Sequence, residues 1–275
     1  GGILNILLDP VFIYGFNMGI GGAGAATVFS QCVSLTIMAA LFMLGKSELR
    51  VSVGKLSHAP GTYLAILKQG MPSFFRQGVL SAATMALNYN AKLYGDAAVA
   101  ALSIVTKVFM LIQSIVIGFG QGFQPVLGYN YGAGRLDRVK EAVWFSVRIC
   151  TVILTVGAVA GFVLAPQVIT LFRRDDALVI AIGTRAFRWQ CLTLPLGAVL
   201  VFANMFFQSL GKSWRAVVLA VCRQGLYIPL VYLMTGRFGL GGLERTQTVA
   251  DLLAFVLAAG VMAHYFKLEF GKEKK

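Results

Sequence analysis

Four long stretches of the chain carry no charged residue, and this feature limits the possible folds more than any other. They are residues 10–45, 108–134, 149–172 and 189–211. A helix needs about 20 apolar residues to cross roughly 30 Å of hydrocarbon, whereas a helix of a soluble domain is usually apolar on one face only. Alternation of polar and apolar residues, the mark of a membrane β-strand, is rare. The chain is therefore predicted to be an all-α membrane protein, a polytopic helical bundle.

Apolar runs and the connections between them predict eight membrane segments. They lie at residues 1–16, 20–45, 64–92, 97–127, 139–165, 178–210, 213–235 and 243–267. The first segment begins abruptly and has no signal-peptide features, so we expect that an N-terminal part of the protein is missing. The connection at residues 46–69 is the longest and most polar, and it is predicted to be a cytoplasmic linker between two bundles.

Basic residues lie in the short connections, so the net charge of +13 indicates membrane orientation rather than nucleic-acid binding. Fifteen Lys and Arg residues fall on one predicted side and seven on the other. The positive-inside rule places the richer side in the cytoplasm. We therefore predict a multi-pass protein of the inner (plasma) membrane with a cytoplasmic C-terminus. The four cysteines lie in or beside apolar segments, without metal-type spacing, and are predicted to be packing residues.

Two stretches resemble each other, and each reads as a helix end, a glycine turn and the start of another helix. They are PVFIYGFNMGIGG at residues 10–22 and PLVYLMTGRFGLGG at residues 229–242. Glycine suits such turns because it adopts backbone angles that other residues avoid. Both turns fall on the same predicted side, so the repeat is parallel, which is one of the two known transporter designs. Chance similarity of two apolar turns is the alternative.

Three motifs resemble those of the multidrug and toxic compound extrusion (MATE) transporters. They are GFGQGFQPVLGYNYGAG at residues 118–134, with Arg135 and Arg138 after it; NILLDP at residues 5–10, with its glycine turn; and GMPS at residues 70–73. The motifs occur in the family's order and spacing, and the resemblance covers the chain from the family's fifth helix to its twelfth.

This resemblance implies a two-lobed, twelve-helix transporter architecture with the first four helices missing. Residues 1–45 are then the last two helices of the N-terminal lobe, and residues 70–275 are the six-helix C-terminal lobe. The implied function is Na⁺- or H⁺-coupled antiport that exports amphipathic or cationic drug-like compounds by alternating access. The expected partners are the lipid bilayer and small organic cations, and the transporter is expected to be monomeric, with no nucleic acid, no ATP and no cofactor beyond the coupling ion.

Asp9 lies inside an apolar run, where a carboxylate is costly and is a functional candidate by default. Asn5 lies one turn earlier on the same helix face, and an antiparallel second helix brings Thr27 toward that face. These oxygens suit Na⁺, or a proton held on Asp9. Matching residues of the MATE family help to form a cation or proton site in the N-terminal lobe, and the resemblance transfers that role to Asn5, Asp9 and Thr27. Alternatively, Asp9 caps a helix or lies at the membrane interface beside Pro10.

The second half of the repeat has no acid at the matching place. Aligned on the prolines, Asn5 corresponds to Gln224 and Asp9 to Ile228. Some members of the MATE family place a cation-binding acid in the C-terminal lobe, and this sequence departs from that pattern. We therefore predict that coupling occurs in the N-terminal lobe.

Polar residues recur at helical spacing along three predicted segments of the C-terminal lobe. They either line a central, partly hydrated substrate cavity or pack between helices. The cavity candidates are Gln77, Ser81, Thr84, Asn88, Lys107, Ser114, Gln121, Gln190 and Asn204. Pro125 and Pro195 are predicted to kink the fourth and sixth segments.

The sequence shows no nucleotide-binding motif and no catalytic cluster that is specific enough to indicate an enzyme. The main alternative to drug export is a lipid-linked saccharide flippase of the wider superfamily, which needs a cationic cavity for phosphates; Lys107 and Arg76 are the only support for one. A non-transporting membrane subunit is the second alternative.

Overall fold

The computed structural model describes residues 1–44 and 59–269, and all regular structure in these ranges is helical. The predicted all-α class is confirmed. The chain divides into two compact units, Gly1–Thr62 and Tyr63–Lys275. Most of the predicted linker, residues 46–58, and the C-terminal residues 270–275 lie outside the described residues.

The first unit contains a helical hairpin. Helix α1 (Gly2–Pro10) continues into a π-helical turn (Val11–Gly15), and α2 (Gly19–Met43) follows. Pro10 has no N–H to donate, which fits its place where the regular α-helical pattern ends. Gly19 has a φ of 55°, a left-handed conformation that favours glycine.

Seven helices follow in the second unit or lead into it. They are α3 (Pro60–Lys92), α4 (Asp96–Gly132), α5 (Leu136–Val163), α6 (Ala165–Phe172), α7 (Ala177–Thr193), α8 (Gly197–Ser209) and α9 (Ser213–Glu269). Helix α3 already begins at Pro60, so the described end of the predicted linker is helical. The short α6 lies almost entirely within residues 166–177, which are predicted to connect the fifth and sixth segments.

The predicted sixth segment, residues 178–210, consists of two consecutive helices, α7 and α8. Between α7 and α8 lies a 3₁₀ turn, Leu194–Leu196, which contains Pro195. The predicted interruption at Pro195 is therefore confirmed. Pro125, in contrast, lies inside α4, which continues through it to Gly132.

Helix α9 folds back on itself at Gly239, whose φ of 60° and ψ of −142° interrupt the helix. The side chains of Arg223 and Asp251 meet at 2.7 Å, although their separation along a straight helix is about 42 Å. The stretch is thus a helical hairpin, and its two arms correspond to the predicted segments 213–235 and 243–267.

Five described helices are long and apolar enough to cross a membrane by length and composition: Gly19–Met43, Asp96–Gly132, Leu136–Val163, Ala177–Ser209 and Trp214–Lys267. The last contains both arms of α9. The helical stretch Gly2–Gly15 is too short for this criterion, and polar residues lower the mean hydropathy of α3. The crossings predicted at residues 1–16 and 64–92 therefore stay predictions.

Apolar residues are abundant on both the inside and the outside of the helices. Phe202, Phe206 and Phe207 are completely buried in the core of the second unit, whereas Met110 of α4 and Leu171 of α6 are 63% and 72% exposed. Exposed apolar surface on this scale is unusual for a soluble protein and is expected of helices that contact lipid.

Candidate functional site

Helices α1 and α2 bring the three predicted cation-site residues into one hydrogen-bonded group. On α1, Nδ2 of Asn5 donates to Oδ1 of Asp9 at 3.2 Å. The same Nδ2 lies 3.3 Å from Oγ1 of Thr27 on α2, and the Thr27 hydroxyl donates to the Ala23 carbonyl at 2.9 Å. The glycine turn permits this contact, because a side chain at Gly22 would collide with the backbone of the π-helical turn.

Asp9 carries the only side-chain charge in residues 1–45. Asn5 and Asp9 are partly buried and Thr27 is exposed. A half-turn of the Asn5 carboxamide replaces its NH₂ with Oδ1, so that oxygens of all three side chains face one small space. That stretch contains no basic side chain, so within it the carboxylate can be neutralised by a proton or by a bound cation.

The cavity candidates on α3 and α4 lie on exposed surface of the second unit. Each is exposed: Gln77, Ser81, Thr84, Asn88, Lys107, Ser114 and Gln121. Thr84 and Ser114 donate to carbonyls four residues earlier in their own helices, so their hydroxyls have partners without any ligand. Exposure at these positions is compatible with the cavity interpretation and with contact to other helices.

The remaining two cavity candidates lie deeper. Asn204 of α8 donates from Nδ2 to the Ala216 carbonyl of α9 at 2.7 Å, which favours the packing interpretation for this residue. Gln190 of α7 is partly buried, and its Oε1 is buried without a hydrogen-bond partner among the described residues. Gln190 is therefore the better candidate for contact with a polar ligand.

A buried ion pair in α9 was missed by the sequence analysis. Asp251 is 7% exposed and accepts hydrogen bonds from Nε of Arg223 at 2.7 Å and from Nε2 of Gln247 at 3.0 Å. Alignment on the prolines compared only the first helix of each hairpin, whereas Asp251 lies on the second arm. The sequence did contain a signal for the pair: Arg223 precedes the glycine turn and Asp251 follows it, so a helical hairpin brings the two toward each other.

This ion pair corrects one sequence-based interpretation. Arg223 is one of the fifteen basic residues counted on the predicted cytoplasmic side, but it lies inside the first arm of α9 and is paired there. The prediction that no acid matches Asp9 is unaffected, because the aligned residue is Ile228 and Asp251 lies beyond the repeat.

A second ion pair joins α7 to the second arm of α9. Arg185 donates from Nη2 to Oε1 of Glu244 at 2.9 Å, and from Nε to both carboxylate oxygens at 3.2 Å. The Glu244 side chain is 4% exposed and that of Arg185 is 56% exposed. A nearly buried carboxylate is thus neutralised by an arginine at the rim of the bundle.

Gln208 of α8 links three helices of the second unit. Its backbone carbonyl accepts from Gln69 of α3 at 2.7 Å, and its Oε1 accepts from Gln124 of α4 at 3.0 Å. Its Nε2 donates to Oγ of Ser73, also on α3, at 3.1 Å. These bonds attach the exposed first half of α3 to the core helices α4 and α8.

Together the helices define an all-helical membrane protein. Within it, side-chain amides and ion pairs link neighbouring apolar helices. The MatE family model matches residues 72–233, which is more than half of the chain. The protein belongs to the MatE family, and the relatives described below are transporters rather than enzymes.

Curated relatives match nearly the whole chain. The multidrug export protein MepA of Staphylococcus aureus is 28% identical over 258 residues, which cover 93% of this chain and 56% of MepA. MepA of Staphylococcus saprophyticus is 24% identical over 256 residues, again 93% and 56%. The chain therefore spans about half the length of the curated relatives that it matches.

Solved structures share the fold. The Vibrio cholerae MATE transporter VcmN superimposes with a TM-score of 0.87 at 21% identity, covering 97% of this chain and 60% of VcmN. A MOP superfamily transporter from Pyrococcus furiosus, described as having a binding pocket of reverse polarity, superimposes with a TM-score of 0.84 at 25% identity, covering 94% and 60%.

Proposed function

We propose that this chain is part of a secondary active exporter of amphipathic or cationic drug-like compounds, coupled to Na⁺ or H⁺ at Asn5, Asp9 and Thr27. The observation that carries the proposal is the isolated charge of Asp9, which is hydrogen-bonded to Asn5 beside the Thr27 hydroxyl. Membership of the MatE family and the multidrug export role of the MepA relatives support the choice of transport as the function and of drug-like compounds as the substrates.

The coupling ion acts by changing the charge of the α1–α2 hairpin. With Asp9 ionised, the hairpin carries one negative charge at membrane depth, which attracts a cationic substrate or a cation. When a proton or Na⁺ binds, that charge is cancelled, and the hairpin no longer favours an organic cation. Competition between the coupling ion and the substrate for one carboxylate, together with alternating access to it, links the inward gradient of the ion to the export of the substrate.

Alternating access completes the proposal. In it, residues 1–45 are part of one lobe, residues 70–275 form the other, and residues 46–69 connect them on the cytoplasmic side, where the C-terminus also lies. The two lobes move against each other, as in other transporters built from parallel repeats. In this proposal the membrane is the plasma membrane.

The experiment is export of an amphipathic cationic dye, under an imposed Na⁺ or H⁺ gradient, from proteoliposomes that contain the complete transporter of which this chain is proposed to be part. Asp9→Asn should abolish gradient-driven export, because the variant has no charge to exchange. Asp175→Asn is the matched control: Asp175 is an exposed acid before α7, and its neutral variant should export normally. Undiminished export by Asp9→Asn contradicts the coupling role, whereas absence of export by the unaltered protein contradicts the transport function itself.

A second candidate, a lipid-linked saccharide flippase, is favoured by one observation. Lys107 is an exposed lysine in the apolar α4, where an ammonium is costly unless it faces water or an anion. Lipid scrambling by vesicles that do not transport the dye, with loss of scrambling in Lys107→Gln, would select this function.

A further inference from the structure

The exposed faces of α7 and of the second arm of α9 form one continuous surface. Nη2 of Arg185 donates to Oε1 of Glu244 at 2.9 Å. One turn further along both helices, Oγ1 of Thr248 donates to the Trp189 carbonyl at 2.8 Å. The residues of each pair are 59 positions apart. Because this separation is constant, the two helices run parallel and side by side, and exposed residues at matching positions are neighbours.

Two guanidinium groups lie on aromatic rings at this surface. Cζ of Arg245 lies 4.8 Å from the ring centre of Trp189. Cζ of Arg188 lies 5.3 Å from the ring centre of Phe162 on α5, and Nε of Arg188 donates to the Phe162 carbonyl at 3.2 Å. The ring faces attract the cations and restrict their positions. Arg245 is exposed, and the two Nη atoms of Arg188 reach the surface without a hydrogen-bond partner, so both groups have donors open to a ligand.

The charges of these two arginines are not neutralised by the chain around them. Arg185 is paired with Glu244. In the part of the chain that the structure describes, neither Arg188 nor Arg245 has a carboxylate partner. Three arginines and one glutamate therefore leave two positive charges on this surface. A guanidinium presents paired N–H donors that match the geometry of a phosphate, so the surface favours a phosphate group.

The two cations lie near one end of a candidate membrane span. Helices α7 and α8 form a span of 33 residues, which is about 50 Å long, whereas the hydrocarbon core is about 30 Å thick. A centred span therefore extends about 10 Å beyond the hydrocarbon at each end. Arg188 lies about 17 Å from the start of α7 at Ala177, a depth from which an arginine side chain extends toward the head groups. The neighbouring Trp189 fits the same boundary, where tryptophan is enriched.

Apolar side chains continue the surface toward the middle of the membrane. Leu192 lies one turn beyond Arg188 on α7, and Leu252 and Val256 follow Arg245 on α9; all three are exposed. By the separation of 59 positions, Leu192 lies at about the level of Leu252. The surface thus has cations at the depth of the head groups and exposed apolar side chains beyond them. An anionic phospholipid has charge and hydrocarbon in the same order, and basic sites between membrane helices bind such head groups.

We propose that Arg188 and Arg245 bind the phosphate group of an anionic phospholipid whose acyl chains lie along Leu192, Leu252 and Val256. Both guanidinium groups donate to phosphate oxygens, and the rings beneath them hold the cations in position before the lipid binds. A zwitterionic head group is a poorer ligand, because the carboxylate of this surface is already paired with an arginine and has little affinity for an ammonium group. The site is independent of the proposed coupling site.

The test is lipid binding to the purified, delipidated transporter that contains this complete chain, measured by native mass spectrometry. The probes are phosphatidylglycerol, phosphatidylcholine and inorganic phosphate. The variants are Arg245→Gln, Arg245→Lys and the double variant Arg188→Gln with Arg245→Gln. Since neither arginine is paired with a described carboxylate, these variants leave no acid without its partner. The melting temperature of each lipid-free variant shows whether it is folded.

The matched control is Arg173→Gln. Arg173 is an exposed arginine that follows α6, on the same predicted side of the membrane, and it belongs to neither α7 nor α9. Its substitution removes one positive charge without changing the α7–α9 surface.

Phosphatidylglycerol is expected to bind more tightly than phosphatidylcholine. Arg245→Gln should weaken the binding of phosphatidylglycerol about fivefold, the usual contribution of one basic residue at an anionic lipid surface, and the double variant should weaken it about 25-fold. Arg245→Lys keeps the charge and should keep most of the binding. Arg173→Gln should bind as the unaltered protein does.

Unchanged binding of phosphatidylglycerol by the double variant overturns the proposal, and so does unchanged binding by Arg245→Gln if the double variant does not fold. Equal weakening by Arg173→Gln also overturns it, because that result indicates a general effect of surface charge. Equal affinity for phosphatidylcholine, or full competition by inorganic phosphate at matched concentration, excludes an anionic lipid as the specific occupant.

Discussion

The α1–α2 hairpin and the α9 hairpin have the same type of glycine turn, but their acidic residues have different partners. In each, a glycine with positive φ reverses the chain, Gly19 at 55° and Gly239 at 60°. In each, a glycine three residues later, Gly22 or Gly242, packs directly on a backbone carbonyl of the preceding helix. The repeat seen in the sequence is thus a repeat of backbone geometry.

The difference lies in the partners of the acid. Asp9 on the first helix has the neutral amide of Asn5 as its hydrogen-bond donor. Asp251 on the second arm has the guanidinium of Arg223 at 2.7 Å and the amide of Gln247 at 3.0 Å. A carboxylate that already has an internal cation has little affinity for an external one. The same hairpin scaffold therefore holds an open carboxylate in α1–α2, hydrogen-bonded to a neutral amide, and a closed carboxylate in α9, paired with an internal cation.

The largest effect on stability is expected at the closed carboxylate. Asp251→Asn leaves Arg223 buried without its counter-charge and should lower the free energy of unfolding by about 3 kcal/mol. The double variant Arg223→Met with Asp251→Leu should recover most of that loss, because neither charge is left alone. Thermal unfolding in detergent measures both. A double variant as unstable as Asp251→Asn would show that the pair is not what holds the arms together.

A smaller effect is expected where the two turns are alike. Gly22→Ala and Gly242→Ala place a methyl group against a backbone carbonyl and should each cost about 2 kcal/mol of stability. The neighbours Gly21 and Gly241 have open space at the same point, so Gly21→Ala and Gly241→Ala are matched controls that should cost little. Equal losses of stability in the variants and the controls would refute the close packing of Gly22 and Gly242 on a backbone carbonyl.

The smallest effect concerns the open carboxylate. Thr27→Val removes the hydroxyl that contacts Asn5 and should cost about 1 kcal/mol while weakening cation binding. Thr36 makes the same type of backbone bond on α2, to the Cys32 carbonyl at 2.8 Å, without contacting Asn5. Thr36→Val should therefore leave cation binding unchanged, and a similar loss in both variants would argue against a special role for Thr27.

The two hairpins also differ in how well the sequence predicts them. The grouping of Asn5, Asp9 and Thr27 follows from helical spacing and one antiparallel turn, which are local properties. The pairing of Arg223 with Asp251 joins residues that are 28 positions apart, and it depends on where α9 reverses. The glycine turn at residues 229–242 predicts the reversal, but helical periodicity does not show which side chains of the two arms lie opposite each other.

The effects of the two prolines and the role of Asn204 show the same division between local chemistry and tertiary packing. The break at Pro195 follows from the chemistry of proline, whereas Pro125 leaves α4 continuous. Asn204 is predicted to be a cavity residue because it shares a polar helix face with Gln190. In the structure, however, its side-chain amide donates a hydrogen bond to the Ala216 carbonyl of α9. A stripe identifies a helix face but not the neighbour that covers it, so packing and cavity interpretations cannot be separated without the structure.

The most direct test of the open and closed carboxylates is the cation dependence of the melting temperature of the purified transporter. Na⁺ is titrated at fixed pH, and pH is varied without Na⁺, for the unaltered protein, Asp9→Asn and the double variant Arg223→Met with Asp251→Leu. A cation that binds only the folded state raises the melting temperature with concentration. We expect stabilisation by Na⁺ or by protons in the unaltered protein and in the double variant, and none in Asp9→Asn. Persistence of the stabilisation in Asp9→Asn, or its loss in the double variant, would contradict the assignment of the coupling site to the α1–α2 hairpin.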